Sequence, residues 1–296
     1  MKLVCIGTIN RDVVQFAEGR GMETLGGALY SILALSVFCG GAAEIIPVAN
    51  VGQDIYQYLS EILRHQPNLN TSGLKRIKTD NNTVYLYLTE GKEREEQTDL
   101  NLPPIEYRQI EPYLDCEALM MNFTSGFELT FDTVRRIIDN CSGLIYIDIH
   151  SLSLGIDANR RRIRRKLPEG FRWIEGADFV QLNEGETLAF LPPQSPHISP
   201  EETAKALVQR LKQACLLTRG ASGVTVFTSA SDFSLPAKKM EKVIDSTGCG
   251  DVFGAAFLTK FLESKDIRKS AEFGCIKAGE KCGYAGWENY IKSTKK

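Results

Sequence analysis

The sequence predicts an α/β fold, with a mainly parallel sheet covered by helices on both faces and a small additional β-sheet. Short apolar runs of strand length alternate with amphipathic helical patterns along most of the chain. These runs are apolar throughout, which is typical of parallel strands buried on both faces. Two polar segments interrupt the rhythm and predict the additional sheet. With 296 residues and 43% hydrophobic content, the chain is expected to fold as one domain over 1–296.

The predicted elements follow from these patterns in chain order. The strands are expected over 2–6, 45–51, 118–122, 144–149, 179–182, 214–218, 224–228 and 242–244. The helices are expected over 28–39, 55–63, 131–140, 163–166, 184–190, 201–213 and 252–262. The additional sheet is expected as a lid built from two separated inserts, about 12–25 and 75–100, the second with a regular alternation over 83–88.

Composition and charge exclude several classes of protein. The chain has 35 Lys and Arg against 37 Asp and Glu, so no nucleic-acid or membrane-surface partner is expected. Eight cysteines without a C-x-x-C pair indicate reduced, buried thiols and a cytoplasmic location. The uncharged run 24–43 is interrupted by glycine pairs at both ends, which favours a buried helix over a membrane span. The start of the sequence does not resemble a signal peptide.

The basic run Arg160–Lys166 is the strongest local charge anomaly. A solvated surface helix or loop explains it, and a patch for phosphate or a partner stays open as the alternative.

The segment Asp245-Ser246-Thr247-Gly248-Cys249-Gly250-Asp251 carries the predicted chemistry. A small-residue turn that enters a helix exposes free backbone N–H groups, and the helix dipole adds positive potential, so the turn is an anion site. Gly248 and Gly250 allow a phosphate to approach closely. Asp251 falls in the first helical turn, where its ionised form is favoured and can accept a proton. A capped helix after a glycine turn is the purely structural alternative.

This segment resembles the second signature of the ribokinase-like, or pfkB-type, carbohydrate kinases, Asp-Thr-x-Gly-Ala-Gly-Asp. Ser246 stands in place of Thr and Cys249 in place of Ala, while both Asp and both Gly residues match. The resemblance implies that Gly248, Cys249 and Gly250 form the anion hole and that Asp251 is the catalytic base. Asp245 is placed by the same match on the nucleotide side. Cys249 is interpreted as a stand-in for Ala, with a redox-sensitive thiol of lowered pKa as the alternative.

Two further motifs fit the nucleotide end of such a kinase. Asn183-Glu184-Gly185-Glu186 is similar to the family's Asn-x-x-Glu motif, in which the carboxylate organises Mg²⁺ through water, so Glu186 is the predicted metal residue. A capping box explains the same residues structurally. The turn Thr218–Gly223 is either a plain hairpin or the wall of the nucleotide site, with Thr218, Gly220 and Gly223 as binding residues.

The acceptor end is predicted from four places in the sequence. Gly7–Asp12 is similar to the Gly-x-x-Asn-x-Asp that opens ribokinase-type chains, so Asn10 and Asp12 are expected to bind substrate hydroxyls, and the paired glycines Gly26 and Gly27 are expected beside them. Two positions depart from the pattern of ribokinase-type chains: Ser31 stands where the family has Asn, and Gln57 stands where it has Gly. Asn122 and Asp148 end two predicted strands, where ligands bind in open α/β sheets.

The resemblance implies a Rossmann-like core with a β lid. It also implies ATP and Mg²⁺ as reagents, K⁺ activation, and dimers formed through paired lids. The predicted activity is phosphate transfer from ATP to a hydroxyl of a sugar or sugar-like molecule. A nucleoside kinase of the same family and a catalytically silent sugar or nucleotide sensor are the alternatives. A scaffold or nucleic-acid role would depend on the basic run alone.

Overall fold

The computed structural model describes residues 1–16, 21–88, 95–191 and 198–294. Parts of the predicted lid inserts, 17–20 and 89–94, lie outside the described residues.

The strands and helices of the described residues have the following bounds. The strands are β1 (Lys2–Gly7), β2 (Ile9–Phe16), β3 (Gly21–Gly27), β4 (Glu44–Gly52), β5 (Leu74–Ile77), β6 (Thr83–Leu88), β7 (Glu95–Asp99), β8 (Ala118–Asn122), β9 (Leu144–Asp148), β10 (Leu154–Ile156), β11 (Arg162–Arg164), β12 (Phe179–Asn183), β13 (Ala214–Thr218), β14 (Val224–Thr228) and β15 (Asp232–Leu235). The α-helices are α1 (Leu29–Cys39), α2 (Tyr56–Arg64), α3 (Tyr107–Ile110), α4 (Phe131–Asn140), α5 (Pro200–Val208), α6 (Cys249–Ser264), α7 (Ile267–Cys282) and α8 (Gly286–Thr294).

A nine-stranded sheet forms the centre of the protein, in the order β15-β14-β13-β12-β9-β8-β1-β4-β5. The seven strands from β13 to β5 are parallel, while β14 and β15 add an antiparallel edge. The parallel strands end at one edge of the sheet, so their terminal residues and the loops that follow them lie together there.

Helices cover both faces of this sheet. Alternate residues of each strand point to opposite faces, so Leu3 and Cys5 pack in one core cluster and Val4 and Ile6 in the other. Helices α1, α2, α6, α7 and α8 contribute to the first cluster, and α3, α4 and α5 to the second. The predicted α/β architecture is confirmed.

A four-stranded sheet, β3-β2-β6-β7, stands apart from the main sheet. Its strand β2 continues from β1 with only Thr8 between them. β2 pairs antiparallel with β3 and parallel with β6. The small sheet is therefore connected to the main sheet at the edge where the parallel strands end. This connection places Asn10 and Asp12 at that edge.

Two predicted elements are wrong. The expected helix over 163–166 does not form: β11 (Arg162–Arg164) pairs antiparallel with β10. Its backbone groups are used in that pairing, and the side chains of Arg164, Arg165 and Lys166 donate to backbone carbonyls of other segments. The expected strand over 242–244 is irregular, because the Ile244 N–H donates to the carbonyl of Cys282 at the end of α7 (2.8 Å) rather than to a strand. Val243 is left 62% exposed.

Smaller differences concern element ends. The helix expected over 184–190 is a 3-10 helix over Glu186–Phe190. Helix α5 ends at Val208 rather than at 213, and begins with a capping box between Ser199 and Glu202. Among the described helices, none has the length and apolar character needed to cross a membrane.

Candidate active site

A cavity of about 810 Å³ lies between the small sheet, the carboxyl ends of the parallel strands and the start of α6. Eleven of the predicted site residues line it: Asn10, Asp12, Gly27, Asn183, Thr218, Gly220, Gly223, Gly248, Cys249, Gly250 and Asp251. The other six do not line it: Gly26, Ser31, Asn122, Asp148, Glu186 and Asp245. Their contacts show that most of them support residues of the cavity wall.

Asp251 lies in the first turn of α6 and is 7% exposed. Its Oδ1 accepts hydrogen bonds from Asn122 Nδ2 (2.5 Å) and Ser31 Oγ (3.3 Å). Asn122 Nδ2 also donates to Ser31 Oγ at 2.8 Å. Three distant segments therefore fix one carboxylate against the cavity, and Ser31 and Asn122 orient Asp251 instead of facing the cavity themselves.

The turn before α6 has the conformation that an anion site requires. Gly248 has φ +77°, in the left-handed region, and a Cβ on it would lie 2.3 Å from Cδ1 of Tyr30. Only glycine satisfies both conditions. The N–H groups of the first turn of a helix have no partner within the helix, so those of Gly250 and Asp251 are available to bind an anion at the cavity.

Asp245 stabilises this turn through backbone hydrogen bonds. Its Oδ1 accepts from the Thr247 N–H (2.9 Å) and its Oδ2 from the Gly286 N–H (3.0 Å). Burial acts to raise the pKa of Asp245, but these backbone hydrogen bonds and the charge of Lys281 outweigh it and leave that pKa below its ordinary value. Asp245 is therefore a fixed negative charge under the turn.

Lys281 and Tyr30 are parts of the site that the sequence analysis missed. Lys281 is fully buried, with its Nζ 3.4 Å from Asp245 Oδ2. Tyr30 lies beneath Gly248 and lines the cavity. Neither belongs to a motif, and both are brought to the site by packing of α1 and α7. The available sequence signal for Lys281 is its position next to Cys282, at the end of α7.

At the other end of the cavity, the small sheet provides polar groups. Asn10 and Asp12 are both buried on β2, and Asn10 Oδ1 has no hydrogen-bond partner among the described residues. A Cβ on Gly26 would lie 1.9 Å from Asp12 Oδ2, so glycine is required there for the carboxylate to occupy its place. Glu96 of β7 lines the cavity beside them. A buried, unpaired amide oxygen at a cavity wall is suited to accept a ligand hydroxyl.

Asp148 and Glu186 form an acidic region behind the cavity. Burial, followed by the negative charges of Glu186 and Asp251, raises the pKa of Asp148 well above its ordinary value. Burial likewise raises the pKa of Glu186. Both carboxylate oxygens of Glu186 accept from Asn183, one from the backbone N–H (2.8 Å) and one from Nδ2 (2.6 Å).

This acidic region bears on Mg²⁺ binding. Within the described residues, no group of three or more His, Cys, Asp and Glu side chains is arranged to bind a metal directly. Crowded carboxylates whose ionised forms are disfavoured fit a hydrated cation held through water.

Cys249 does not have the lowered pKa that was considered for it. Burial, and then the neighbouring Cys282, raise the pKa of its thiol. The surroundings of this thiol therefore do not support the low-pKa alternative.

Known proteins resemble this chain in sequence and fold. Residues 158–292 match the model of the pfkB family of carbohydrate kinases. A nucleoside kinase of Methanocaldococcus jannaschii is 34% identical over 65 residues, which span 22% of each chain. The ribokinase of Bacillus subtilis is 24% identical over 92% of this chain and 90% of that protein. A pyrophosphate-dependent kinase of the ribokinase family, solved with sulfate, superimposes with a TM-score of 0.79 over 96% of both chains at 16% identity.

Proposed function

We propose that this chain, which belongs to the pfkB family of carbohydrate kinases, transfers the γ-phosphate of ATP to a hydroxyl group of a sugar or sugar-like molecule. The observation that carries the proposal is the position of Asp251, a buried carboxylate held by Ser31 and Asn122 beside the anion-binding turn. A base and an anion site at adjacent positions on one helix are the arrangement that in-line phosphoryl transfer needs.

Each group of site residues has a separate role in the proposed reaction. Asn10 and Asp12 bind hydroxyls of the acceptor, and Asp251 accepts the proton of the attacking hydroxyl. The N–H groups of Gly250 and Asp251, at the end of the turn, stabilise negative charge on the transferred phosphate. Glu186 would hold Mg²⁺ through water, and the ion would neutralise charge on the phosphates of the donor.

ATP is favoured over pyrophosphate by the part of the cavity beyond the turn. There the wall is formed largely by the hairpin Thr218–Gly223, the segment Ala237–Met240 and the α7 residues Cys275, Ala278, Gly279 and Cys282. A groove of this size and composition fits a nucleoside, whereas pyrophosphate would leave it empty. Turnover with pyrophosphate at the rate seen with ATP would contradict the proposed donor.

A nucleoside is the second candidate acceptor. Tyr30 and Val84 line the same cavity as Asn10 and Asp12, so an aromatic and an aliphatic surface are available to a base. ADP release measured across sugars, sugar acids, polyols and nucleosides separates the two. Absence of release with every acceptor, together with ligand binding, would favour a silent sensor.

The base is tested by Asp251→Asn. Asparagine keeps an acceptor oxygen for Asn122 and Ser31 but cannot take up the proton, so turnover should fall about 10²- to 10⁴-fold. ATP binding measured by calorimetry should stay nearly unchanged. Asp80→Asn, an exposed change, is the control. Undiminished turnover in Asp251→Asn would show that another group is the base.

A further inference from the structure

Lys281 is an unusual residue because a lysine is almost never fully buried unless its charge is paired. Its Nζ lies 3.3 Å from the Asp245 carbonyl oxygen, 3.4 Å from Asp245 Oδ2 and 3.2 Å from the Tyr284 carbonyl oxygen. We call these three atoms the oxygen cage. A carboxylate oxygen and two carbonyl oxygens can compensate a desolvated monovalent cation, as carbonyls do for K⁺ in other proteins.

The oxygen cage is connected directly to the anion-binding turn. Asp245, which supplies two of its atoms, binds the Thr247 N–H one residue before Gly248. On the other side, the ammonium lies 5.5 Å from the ring centroid of Tyr30. That ring fills the space where a Cβ of Gly248 would be. Lys281 therefore supports the turn through Asp245 and through Tyr30.

The position of Lys281 on its helix adds to this arrangement. It lies in the last turn of α7, where the helix dipole favours a positive charge. The nearby Lys277, one turn earlier, instead pairs with Glu280 at 2.9 Å and stays partly exposed. The two lysines have the same charge and lie on the same helix, but only Lys281 reaches the turn.

We propose that the ammonium group of Lys281 is a built-in monovalent cation that positions the anion-binding turn, so that the protein needs no K⁺. The K⁺ activation expected from the family resemblance does not fit this part of the chain, since the oxygen cage is already filled by Lys281. Lys281 is a positioning residue, because it acts on the donor phosphate through Asp245 and Tyr30. The inference depends on the proposed phosphotransferase function for its kinetic consequence, but not for its effect on cation binding.

The test compares Lys281→Ala, which empties the oxygen cage, with Lys281→Met, which fills the space without charge, and with Lys277→Met as control. Wild-type ADP release should be equal within about twofold in choline, sodium and potassium chloride. Lys281→Ala should lose about 10- to 100-fold in kcat/KM for ATP in choline chloride, as expected for removal of a charge-assisted contact. K⁺ or methylammonium should raise the kcat/KM of Lys281→Ala about tenfold. The kcat/KM of Lys281→Met should stay low in all salts, and that of Lys277→Met should equal the wild-type value.

A second readout does not need turnover. Potassium chloride should raise the Tm of Lys281→Ala relative to choline chloride, and should leave the Tm of wild type and Lys281→Met unchanged. If no acceptor supports ADP release, this measurement still tests the cation, so failure of the proposed function and failure of this inference are distinguishable.

Three results would overturn the inference. K⁺ could stimulate the activity of the wild-type protein about tenfold or more. Lys281→Ala could have wild-type kinetics, or K⁺ could change the Tm of all variants equally. If Lys281→Ala does not fold, the inference is tested by the activity of the wild-type protein in the three salts and by the activity of folded Lys281→Met. Salt-independent wild-type activity with low activity in Lys281→Met supports the inference, and any other combination overturns it.

Discussion

The charges of Glu186 and Asp251 both act on Asp148. Asp148 lies at the end of β9, Glu186 at the start of the 3-10 helix that follows β12, and Asp251 at the start of α6. Burial raises the pKa of Asp148 and of Glu186, and the charge of Asp251 raises both further. Negative charges placed near one another in a buried site disfavour their own ionised forms. We propose that a cation arriving with the donor phosphates would relieve this repulsion, so that part of the stability of the site would be exchanged for donor binding.

Asp148→Asn tests this arrangement through its pH dependence. The pKa of folded Asp148 lies well above its ordinary 3.8, so the folded state binds the proton more tightly and loses stability as pH rises through the folded pKa. Asparagine cannot ionise, so the Tm of the variant minus that of wild type should grow as the pH rises above the ordinary pKa of 3.8. Asp80→Asn, an exposed change, is the control. A constant difference for Asp148→Asn would show that its carboxyl ionises as it does in water.

Gly248→Ala separates backbone strain from collision with Tyr30. Gly170 also has positive φ, +52°, but a Cβ there would meet nothing within 4 Å. Gly170→Ala should therefore cost only about 1 kcal/mol in unfolding free energy, from the left-handed conformation. Gly248→Ala should cost more and should also raise the KM for ATP, because the turn must move. Equal stability losses with normal kinetics in both variants would contradict the role given to the turn.

At the scale of elements, the basic run lies largely on the surface, as the sequence predicted, since Arg160, Arg161, Arg164 and Lys166 are exposed. Its six basic side chains nevertheless all bind groups of the protein itself. The partners are Asp99 for Arg160, Asp157 for Arg161, Glu96 and the Ser125 carbonyl for Arg162, the Gly185 carbonyl for Arg164, the carbonyls of Leu152 and Gly126 for Arg165, and the Leu188 carbonyl for Lys166. The run connects the small sheet to the loops of the main sheet.

Arg162 is the centre of that connection and its side chain is 4% exposed. Arg162→Gln should lower the unfolding free energy by about 1–3 kcal/mol, because the Ser125 carbonyl and Glu96 lose a charged donor. It should also raise the KM for the acceptor, since Glu96 lines the cavity. Arg161→Gln removes an exposed ion pair from the same hairpin and should cost less than about 1 kcal/mol. Chemical denaturation and acceptor titration measure both, and equal effects would disprove the connection.

At the scale of the whole molecule, the sequence predicted what depends on local pattern. The buried strands and the glycine turn before α6 are local features, and they were predicted with nearly correct bounds. The contacts of Ser31 with Asp251 and of Lys281 with Asp245 join residues far apart in the chain. They depend on how α1 and α7 pack on the same face of the sheet, and no local pattern contains that information.

Both sheets contribute to one cavity: β2 and β7 provide Asn10, Asp12 and Glu96, while β12 and β13 of the main sheet provide Asn183 and Thr218. We propose that the small sheet acts as a lid that closes when both substrates are bound. A closed site would exclude water from the donor phosphate and suppress ATP hydrolysis without an acceptor. Pairing of two copies through this sheet stays a prediction that sedimentation velocity can test.

Hydrogen exchange followed by mass spectrometry tests the closure. With a non-hydrolysable ATP analogue and an acceptor together, backbone N–H groups of β2 and β6 should exchange more slowly than with either ligand alone. Ladder hydrogen bonds of a four-stranded sheet open more easily than those of a buried nine-stranded sheet, so protection by ligands should be visible there. Strand β4, inside the main sheet and without a residue at the cavity, is the control and should not respond. Equal exchange of β2 and β6 in the free and doubly bound protein would show that the small sheet is a fixed wall of the cavity, and the exclusion of water would then have to come from the acceptor itself.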